Sequence, residues 1–327
     1  MKQGYMPPYT ITEEIMNLVA EISEIVGKIT SWEHMNANPK LRRNNRIRTI
    51  HASLAIENNT LSLEQVTAII NGKRVLGAPA EIREVQNAYQ TYDQLLTFDP
   101  YSLSDLLCAH GMLMNNLVGE AGVFRSGGVG VFNGESLIHM APPAEFVHGQ
   151  ISNLLDWAKK CKAHPLIKSC VFHYEFEFIH PFADGNGRMG RMWHTLLLYQ
   201  WKPLFAWLPV ESVIRERQQK YYEALHTADS LGHSTPFIEF LLEAILDALR
   251  EVEADAIPAT GVTPTLKLLL EKLGNEELSS SELMQRLGLK NRAAFSRTYL
   301  KPALEQELIQ MTIPDKPNSR NQRYKRK

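Results

Sequence analysis

Residues 180–191 read His-Pro-Phe-Ala-Asp-Gly-Asn-Gly-Arg-Met-Gly-Arg, and the fold and the function are both inferred outward from this stretch. Residues 189–200, which overlap its end, have the apolar spacing of an α-helix. A glycine-bounded turn that opens a helix exposes free backbone N–H groups at the positive end of the helix dipole, and such a turn binds phosphate. The stretch therefore predicts an anion cradle made by Gly185, Asn186 and Gly187.

The charged side chains around this cradle extend the prediction to a polyphosphate. Arg188 and Arg191 are three residues apart and share a helix face, and two guanidinium groups suit several phosphate groups. Asp184 lies beside the same turn, and a carboxylate next to phosphates is the usual way to hold Mg²⁺. His180 lies four residues earlier and is a candidate to accept a proton from an attacking hydroxyl.

Two other kinds of site are possible interpretations of the same residues. Residues 185–190 also match G-x-G-x-x-G, and the aromatic residues within 172–178 alternate as in a strand, which is the pattern of a dinucleotide-binding turn. Residues 167–178 fit a helix equally well, and the strand–helix–strand units that this fold requires do not follow. A zinc hydrolase is disfavoured because His173 and His180 are seven residues apart and the chain lacks H-E-x-x-H.

Residues 180–191 match the complete signature H-x-F-x-[D/E]-G-N-G-R-x-x-R, and in these residues the chain resembles the Fic (Fido) family. The resemblance implies a mostly α fold with a helical core and a β-hairpin flap. Most known members transfer AMP from ATP to a Ser, Thr or Tyr hydroxyl of a protein. The resemblance thus implies a nucleotidyltransferase with ATP as substrate and Mg²⁺ as cofactor, and with a target protein or the chain itself as acceptor.

Each signature residue has a role implied by the resemblance. His180 is the general base, and Asp184 binds the Mg²⁺ that bridges the α- and β-phosphates. The phosphate contacts are assigned to Gly185, Asn186 and Gly187 as the cradle, to Arg188 at the β-phosphate and to Arg191 at the γ-phosphate. The related Doc-type kinases carry Lys in place of Gly187, so this glycine favours nucleotidyl over phosphoryl transfer, while phosphocholine transfer and other nucleotidyl transfers stay open.

A second motif of the same family lies upstream. Residues 53–58 read Ser-Leu-Ala-Ile-Glu-Asn and match the inhibitory motif [S/T]-x-x-x-E-[G/N]. Ser53 and Glu57 are i,i+4 on a helix face, a spacing that an ordinary polar pair also has. The resemblance implies that Glu57 pairs with Arg191 at the γ-phosphate position, so that ATP binds only in a non-productive pose. The same glutamate is implied in AMP removal in some relatives, which leaves de-adenylylation open.

Residues 129–140 predict the flap. Asn133-Gly134 is a strong hairpin signal between the predicted strands Val129–Phe132 and Ser136–Met140. An extended segment of a target protein is expected to add to this hairpin as a further strand, and a purely structural hairpin is the alternative. Downstream, Tyr221 or Tyr222 is expected to stack on adenine or bond to it, with buried packing as the alternative.

The chain is expected to have four parts: an N-terminal helical region with the inhibitory helix (1–100), the catalytic core (101–254), a Pro-, Gly- and Thr-containing linker (255–264) and a C-terminal module (265–327). Three short helical patterns and a terminal strand pair predict a winged helix in the last part. Eleven Lys or Arg against three Asp or Glu give residues 286–327 a net charge of +8. DNA binding through 265–327 is one hypothesis, and a protein-contact or dimer module is the other.

Composition bounds the class of protein. The 327 residues are 44% hydrophobic and 22% charged, with a formal net charge of −1, which excludes a wholly disordered chain. No apolar run approaches the roughly 18 residues of a membrane helix, and three unpatterned cysteines fit buried thiols in a reducing cytoplasm. Relatives with this N-terminal class often dimerise, so a homodimer is a further expectation. The alternative to an enzyme is a DNA-binding regulator with a nucleotide-sensing core.

Overall fold

The structure is a computed structural model that describes residues 5–31, 39–133, 136–256, 264–274, 276–289, 291–314, 319 and 321–327. The chain divides into two compact units, Met1–Arg250 and Glu251–Lys327, which are described separately. Within the described residues, no helix is both long enough and apolar enough to cross a membrane.

In its described residues the first unit is helical apart from one β-hairpin, so the mostly α fold class is confirmed. Its helices, in chain order, are α1 (Glu13–Ser31), α2 (Pro39–Ile56), α3 (Leu63–Ile70), α4 (Pro79–Gln94), α5 (Leu103–Leu113), α6 (Ala144–Lys160), α7 (Pro165–Ile179), α8 (Asn186–Trp201), α9 (Val210–Glu216), α10 (Gln218–Leu231) and α11 (Thr235–Ala256). Two 3₁₀ turns, Leu95–Thr97 and Pro203–Trp207, follow α4 and α8.

Two helix starts show how local sequence sets element boundaries. The spacing of Ser62 and Gln65 predicts a capping box at the start of α3, and it is present: Gln65 N–H donates to the Ser62 hydroxyl, and the Gln65 side chain accepts from the Ser62 backbone. For α1, the spacing of Thr10 and Glu13 also predicts a capping box, which is wrong. The Thr12 hydroxyl instead accepts from Ile15 N–H at 3.1 Å and donates to Glu239 at 2.6 Å.

Helices α7 and α8 form the centre of the first unit, and both bury most of their residues. Because residues 165–179 are helical, the dinucleotide-binding alternative lacks the strand that it needs before its glycine turn. The turn between the two helices carries the signature. A pair of nearly fully buried helices therefore presents this turn, and its backbone is defined on both sides by packed structure.

The hairpin consists of β1 (Gly130–Asn133) and β2 (Ser136–Met140), one residue away from the predicted bounds of the first strand. The strands are antiparallel, with Gly130 opposite Met140 and a register shift between Val131 and Phe132, as in a β-bulge. Residue 134 of the predicted Asn-Gly turn lies outside the described residues.

The second unit has a small apolar core of its own. Its elements are α12 (Pro264–Leu273), α13 (Ser280–Arg286), α14 (Arg292–Phe295), a π-helical turn (Ser296–Leu300), α15 (Lys301–Glu305) and the strands β3 (Ile309–Met311) and β4 (Tyr324–Arg326). The strands pair antiparallel, and an isolated bridge joins Leu278 to Tyr324. The winged-helix assignment stays a prediction; residues 257–263 of the predicted linker and 315–318 of the predicted turn lie outside the described residues.

The three cysteines differ in exposure. Cys170 is buried, Cys161 is half-buried and Cys108 is exposed, and all three are free thiols. The prediction of buried thiols is therefore wrong for Cys108. Burial raises the pKa of the Cys170 thiol, which keeps it protonated and inert.

Candidate active site

The end of α7 presents His180. Its backbone is in the left-handed region, at φ 50° and ψ 61°, and its N–H donates to the Phe176 carbonyl at 3.0 Å. The ring nitrogen Nδ1 lies 3.3 Å from the Glu177 carbonyl. Because a carbonyl oxygen can only accept, Nδ1 carries the proton in this contact, and Nε2 is the nitrogen that can accept one.

Arg125 holds this strained backbone in place. Its guanidinium donates to the carbonyls of His180 at 2.7 Å, Gly127 at 2.8 Å, Pro142 at 2.5 Å and Ile179 at 3.3 Å. A left-handed non-glycine residue costs about 1–2 kcal/mol, so it needs such external support. Gly127 precedes β1 and Pro142 follows β2, so one buried side chain links the signature turn to both ends of the hairpin.

The turn that follows is closed by its own side chains. The Asn186 amide donates to the Phe182 carbonyl at 2.8 Å, and its oxygen accepts from Phe182 N–H at 2.9 Å. Gly185 has φ 84°, and a Cβ there would lie 2.7 Å from the Met114 sulfur. The buried Asn186 side chain thus stabilises the turn, and the backbone of Asn186, not its side chain, contributes to the predicted cradle at the start of α8.

His110 on α5 supports the same turn and has no recognisable signal in the sequence. Its ring stacks on Phe182 with centroids 3.6 Å apart and an interplanar angle of 3°. Nδ1 accepts from Gly122 N–H at 2.9 Å, so Nε2 carries the proton and donates to the Asp184 carbonyl at 3.0 Å. Burial lowers the pKa of His110, which favours this neutral form.

Asp184 is exposed at this turn, and its partner Arg188 is buried beneath it. Asp184 Oδ1 accepts from Gly185 N–H at 2.5 Å and from Arg188 Nη2 at 3.0 Å, while the side chain is 57% exposed. Arg188 Nη1 also donates to Glu84 Oε1 at 3.0 Å. Sequence reasoning missed Glu84, because it lies 104 residues from its partner and belongs to no motif.

The fit of Asp184 to Mg²⁺ depends on this exposure. Mg²⁺ in phosphate sites is held by one or two carboxylates together with phosphate oxygens and water. Over the described part of the chain, three or more His, Cys, Asp or Glu side chains do not cluster as a metal site. A single exposed carboxylate beside a phosphate cradle fits an ion that arrives with the nucleotide, and does not fit a resident structural metal.

Arg191 contacts both residues of the upstream motif. Nη2 donates to Glu57 Oε1 at 2.8 Å and to the Ser53 carbonyl at 3.0 Å, and Nε donates to the Ser53 hydroxyl at 3.1 Å. Arg191 is 1% exposed, whereas Glu57 is 31% exposed. Burial acts to lower the pKa of Arg191, but the charge of Glu57 and the hydrogen bond to it dominate, and the net shift is upward.

Helix α2 positions Glu57 beside the signature turn. The helix ends at Ile56, whose carbonyl accepts from the Gln218 amide at 3.0 Å, and Asn58 follows with φ 67°. A Cβ on Gly187 would lie 2.3 Å from Glu57 Oε1. A side chain at position 187 would therefore displace the Glu57 carboxylate from its present place beside Arg191, and the glycine leaves room for that contact.

Behind Arg191, the two predicted adenine-binding tyrosines differ in placement. Tyr221 is 2% exposed, packs against the rings of Phe237 and Phe240 and has its hydroxyl 3.2 Å from His173 Nε2. This is the packing that was the alternative to adenine contact. Tyr222 is half-buried and meets Tyr221 edge-on at 5.3 Å. Burial, together with the charge of Arg191, lowers the pKa of His173 to about 3, so its ring is neutral.

The structure thus brings most of the predicted site residues to one place. Asp184, the glycine turn, Arg188 and Arg191 surround the first turns of α8, and Ser53 and Glu57 reach them from α2. His180 precedes the same turn. Tyr221 lies deeper, and Glu84, His110 and Arg125 are the supporting residues whose contacts only the fold makes visible.

Comparison with known families matches residues 100–198 to the Fic/DOC family and residues 264–326 to the domain described as "Filamentation induced by cAMP protein Fic-like, C-terminal domain". Among solved structures, a Fic family protein from Desulfovibrio desulfuricans G20 is 57% identical. That match covers 99% of this chain and 98% of the other, with a TM-score of 0.75. Fic-1 from Caenorhabditis elegans (aa134 - 508) matches with a TM-score of 0.62 at 23% identity, over 74% of this chain and 72% of the other, and supports the fold alone.

Curated relatives carry an activity in their names. "Protein adenylyltransferase fic-1" of Caenorhabditis elegans is 28% identical over 240 residues, which is 68% of this chain and 44% of the relative. "Protein adenylyltransferase Fic" of Aedes aegypti is 27% identical over 213 residues, which is 60% of this chain and 40% of the relative. The matched region is therefore less than half the length of either relative.

Proposed function

The chain belongs to the Fic family, and on that premise we propose that it is a protein adenylyltransferase that moves AMP from ATP to a hydroxyl group of a target protein. The observation that carries the proposal is the convergence of His180, Asp184 and the glycine turn with two arginines at the start of α8. The adenylyltransferase names of the curated relatives support the reaction class.

The proposed chemistry uses the turn as a phosphate cradle. The backbone N–H groups at the start of α8 and the helix dipole attract the phosphate oxygens of ATP. His180 Nε2 takes the proton of the target hydroxyl, whose oxygen forms a bond to the α-phosphorus. The bond from that phosphorus to the bridging oxygen breaks, and pyrophosphate leaves with the electron pair. Mg²⁺, held by Asp184 when bound, offsets negative charge on the phosphates.

Glu57 is proposed to inhibit this reaction. Its carboxylate oxygen Oε1 lies 2.8 Å from Nη2 of Arg191, the residue that is assigned to the γ-phosphate. An ATP molecule that places its γ-phosphate there brings two anions together in a partly buried site, which is unfavourable. ATP then binds in another pose, and the α-phosphorus is not in line with the target hydroxyl. Reverse removal of AMP with Glu57 as a participant is the related alternative.

The hairpin is the proposed docking site for the target. It forms a two-stranded sheet whose strands, Gly130–Asn133 and Ser136–Met140, pair only with each other among the described residues. An extended segment of the target protein can therefore add to a free edge through backbone hydrogen bonds. Arg125 links both ends of this hairpin to the carbonyl of His180. A strand added to the hairpin would therefore be held at a fixed position relative to His180, the proposed general base.

The DNA-binding alternative has less support from the second unit. Four of its basic side chains face carboxylates of the same unit, and these ion pairs offset part of its positive charge. The pairs are Arg286–Glu276, Arg323–Glu282, Lys325–Glu277 and Lys327–Glu307. DNA binding and a homodimer remain proposals for this module and for the whole chain respectively, and gel-shift and light-scattering measurements on the full chain test them.

The proposed function is tested by transfer of label from α-³²P-ATP with Mg²⁺, with the protein itself and a lysate as acceptors. We expect label on the Glu57→Gly variant, and none on Glu57→Gly/His180→Ala. Glu120→Gly, which removes an exposed carboxylate far along the chain from both motifs, is the matched control and should label as the wild type does. Transfer from γ-³²P-ATP with none from α-³²P-ATP would make the chain a kinase and overturn the proposal.

A further inference from the structure

The carboxylate of Glu84 on α4 contacts two groups that are far apart in the chain. Its Oε1 accepts from Arg188 Nη1 at 3.0 Å, and its Oε2 accepts from the Asn59 side-chain amide at 2.7 Å. Glu84 is 20% exposed, whereas Arg188 and Asn59 are both buried. This carboxylate therefore joins the arginine assigned to the β-phosphate to the residues that follow Glu57 in the chain.

Two carboxylates set the orientation of the Arg188 guanidinium. Nη1 donates to Glu84, and Nη2 donates to Asp184 Oδ1, also at 3.0 Å. The buried Nε of Arg188 has no hydrogen-bond partner in the part of the chain that the structure describes. Because each Nη carries two N–H groups, one donor on each stays available for a phosphate oxygen while the two carboxylates hold the group.

Asp184 is the less permanent of these two partners. Its side chain is 57% exposed, and it is the residue proposed to hold Mg²⁺, so a nucleotide that arrives with the ion draws this carboxylate away from Arg188. Glu84 is less exposed and lies on a separate helix. Glu84 is thus the partner that keeps Arg188 oriented while a nucleotide is bound.

Asn59 fixes the Glu84 carboxylate in its turn. The same Asn59 amide nitrogen also donates to the Glu81 carbonyl at 3.3 Å, and Asn59 Oδ1 accepts from Leu61 N–H at 3.1 Å. A buried amide whose donors and acceptor are all paired has one favoured orientation. Oε2 of Glu84 therefore faces a fixed donor, which leaves Oε1 directed at Arg188.

Glu84 also differs from Glu57 in its distance from the cradle. The atoms nearest to a Cβ at Gly187 belong to Glu57 and Arg191, and those nearest to a Cβ at Gly185 belong to Met114. Glu84 is not among these nearest neighbours. Its negative charge is offset by Arg188 at 3.0 Å, so a phosphate in the cradle meets an ion pair and not a lone carboxylate.

We propose that Glu84 is a positioning residue that orients Arg188 toward the phosphates of ATP. This inference rests on the proposed function, because it takes those phosphates as the ligand of Arg188. Glu84 acts through the arginine and does not touch the nucleotide. Without Glu84, Asp184 becomes the one partner of Arg188 among the described residues, and the guanidinium then competes with Mg²⁺ for that carboxylate.

Substitutions of Glu84 separate shape from charge. Glu84→Gln keeps the side-chain length and an oxygen that accepts from Arg188, whereas Glu84→Asp keeps the charge and is one methylene shorter. The measurement is kcat/KM for ATP in self-labelling, in a Glu57→Gly parent. We expect Glu84→Gln to stay within about threefold of the parent, and Glu84→Asp and Glu84→Ala to lose about tenfold or more, because small displacements of a binding group are costly. A gain of activity in Glu84→Ala would make Glu84 a second inhibitor and overturn the proposal.

A double-mutant cycle with Arg188→Ala shows whether Glu84 acts through the arginine. By calorimetry, Glu84→Ala should weaken the binding of ATP with Mg²⁺ to the parent by about tenfold, and should change it by less than about twofold once Arg188 is absent. Equal losses in both backgrounds would leave Glu84 a merely structural role. Glu81→Ala is the matched control: it removes a carboxylate one turn earlier, which contacts Thr60, and should bind ATP as the parent does. If circular dichroism shows that Glu84→Ala is unfolded, Glu84→Asp takes its place in the cycle.

The Mg²⁺ requirement gives a readout that a structural role would not move. The Mg²⁺ concentration for half-maximal ATP binding should rise by about threefold or more in Glu84→Ala, because Arg188 then competes for Asp184. If the parent binds ATP but transfers no label, the proposed function fails, and the binding cycle still decides the role of Glu84. If label is transferred but the cycle shows no coupling to Arg188, the function stands and the assignment of Glu84 is wrong.

Discussion

Replacing Glu57 should raise activity and lower stability at the same time. A phosphate oxygen that shares the Arg191 guanidinium with Glu57 would lie about 4 Å from that carboxylate, and two unit charges at this distance repel by about 4 kcal/mol at an effective dielectric constant of 20. Glu57 is 31% exposed, so solvent screens part of this repulsion. We therefore expect Glu57→Gly to increase the initial rate of label transfer from α-³²P-ATP by about 100-fold.

We expect Glu57→Gly to lower the free energy of unfolding. Arg191 is 1% exposed and keeps only its bonds to Ser53 after the substitution, so a buried charge loses its partner. Breaking a fully buried pair costs about 3–5 kcal/mol, and the partial exposure of Glu57 reduces this to roughly 1–3 kcal/mol. ATP with Mg²⁺ should restore much of the lost Tm in the variant, because the γ-phosphate takes the place of the carboxylate.

Glu57→Gln separates charge from shape. It keeps the volume of the side chain and can still accept from Arg191, but it carries no charge, so most of the activation should remain if repulsion is the cause. Rate increases no larger than those of the Glu120→Gly control, or ATP stabilisation that is equal in the wild type and in Glu57→Gly, would refute the reasoning.

Three further predictions concern the groups around this pair. His173 is buried and neutral with a pKa of about 3, below its ordinary value of 6.5, so its contribution to stability is present above pH 6.5 and is lost as the pH falls. Below pH 6.5, chemical denaturation should show a loss of stability with falling pH that is smaller by about 1.4 kcal/mol per pH unit in His173→Gln than in the control His226→Gln, and the buried His194, whose pKa is also lowered, adds its own loss in both variants. Arg125→Lys replaces a guanidinium that donates to four carbonyls with a single ammonium group. In the Glu57→Gly background it should lower the labelling rate by about tenfold or more, while nucleotide affinity, measured by fluorescence titration, stays within a factor of a few. An equal loss of rate and affinity would assign Arg125 a purely structural role. Asp184→Asn in the same background should raise the Mg²⁺ concentration for half-maximal labelling by about tenfold, and an unchanged Mg²⁺ dependence would exclude this carboxylate as the ligand.

Motifs made of neighbouring residues could be predicted from the sequence because they depend only on local backbone geometry. The glycine turn before α8 needs only a left-handed Gly185 and a helix start, and the capping box of α3 needs only residues 62 and 65. Where two local signals compete, the prediction was wrong: Thr10 and Thr12 are both plausible caps, and the contacts of Thr12 with α11 and of the Thr10 N–H with Thr235 decide between them.

The contacts between residues far apart in the chain could not be predicted from the sequence. Glu84 meets Arg188 across 104 positions, and His110 meets the Asp184 carbonyl across 74. Neither residue belongs to a motif, and a histidine or glutamate on a helix is most often exposed or structural. Only the packing of α4 and α5 against the signature turn gives these side chains a partner.

For this protein, the sequence by itself determined the proposed chemistry: the predicted base, carboxylate, cradle and two arginines lie within twelve residues, and their mutual geometry follows from one helix end. The tertiary structure decided which groups contact Arg191 and how closely Glu57 approaches Gly187, because both depend on the position of a separate helix. It also placed Tyr221 in the core. Short-range order is set by backbone geometry, whereas these contacts depend on how packed helices bring remote charges together.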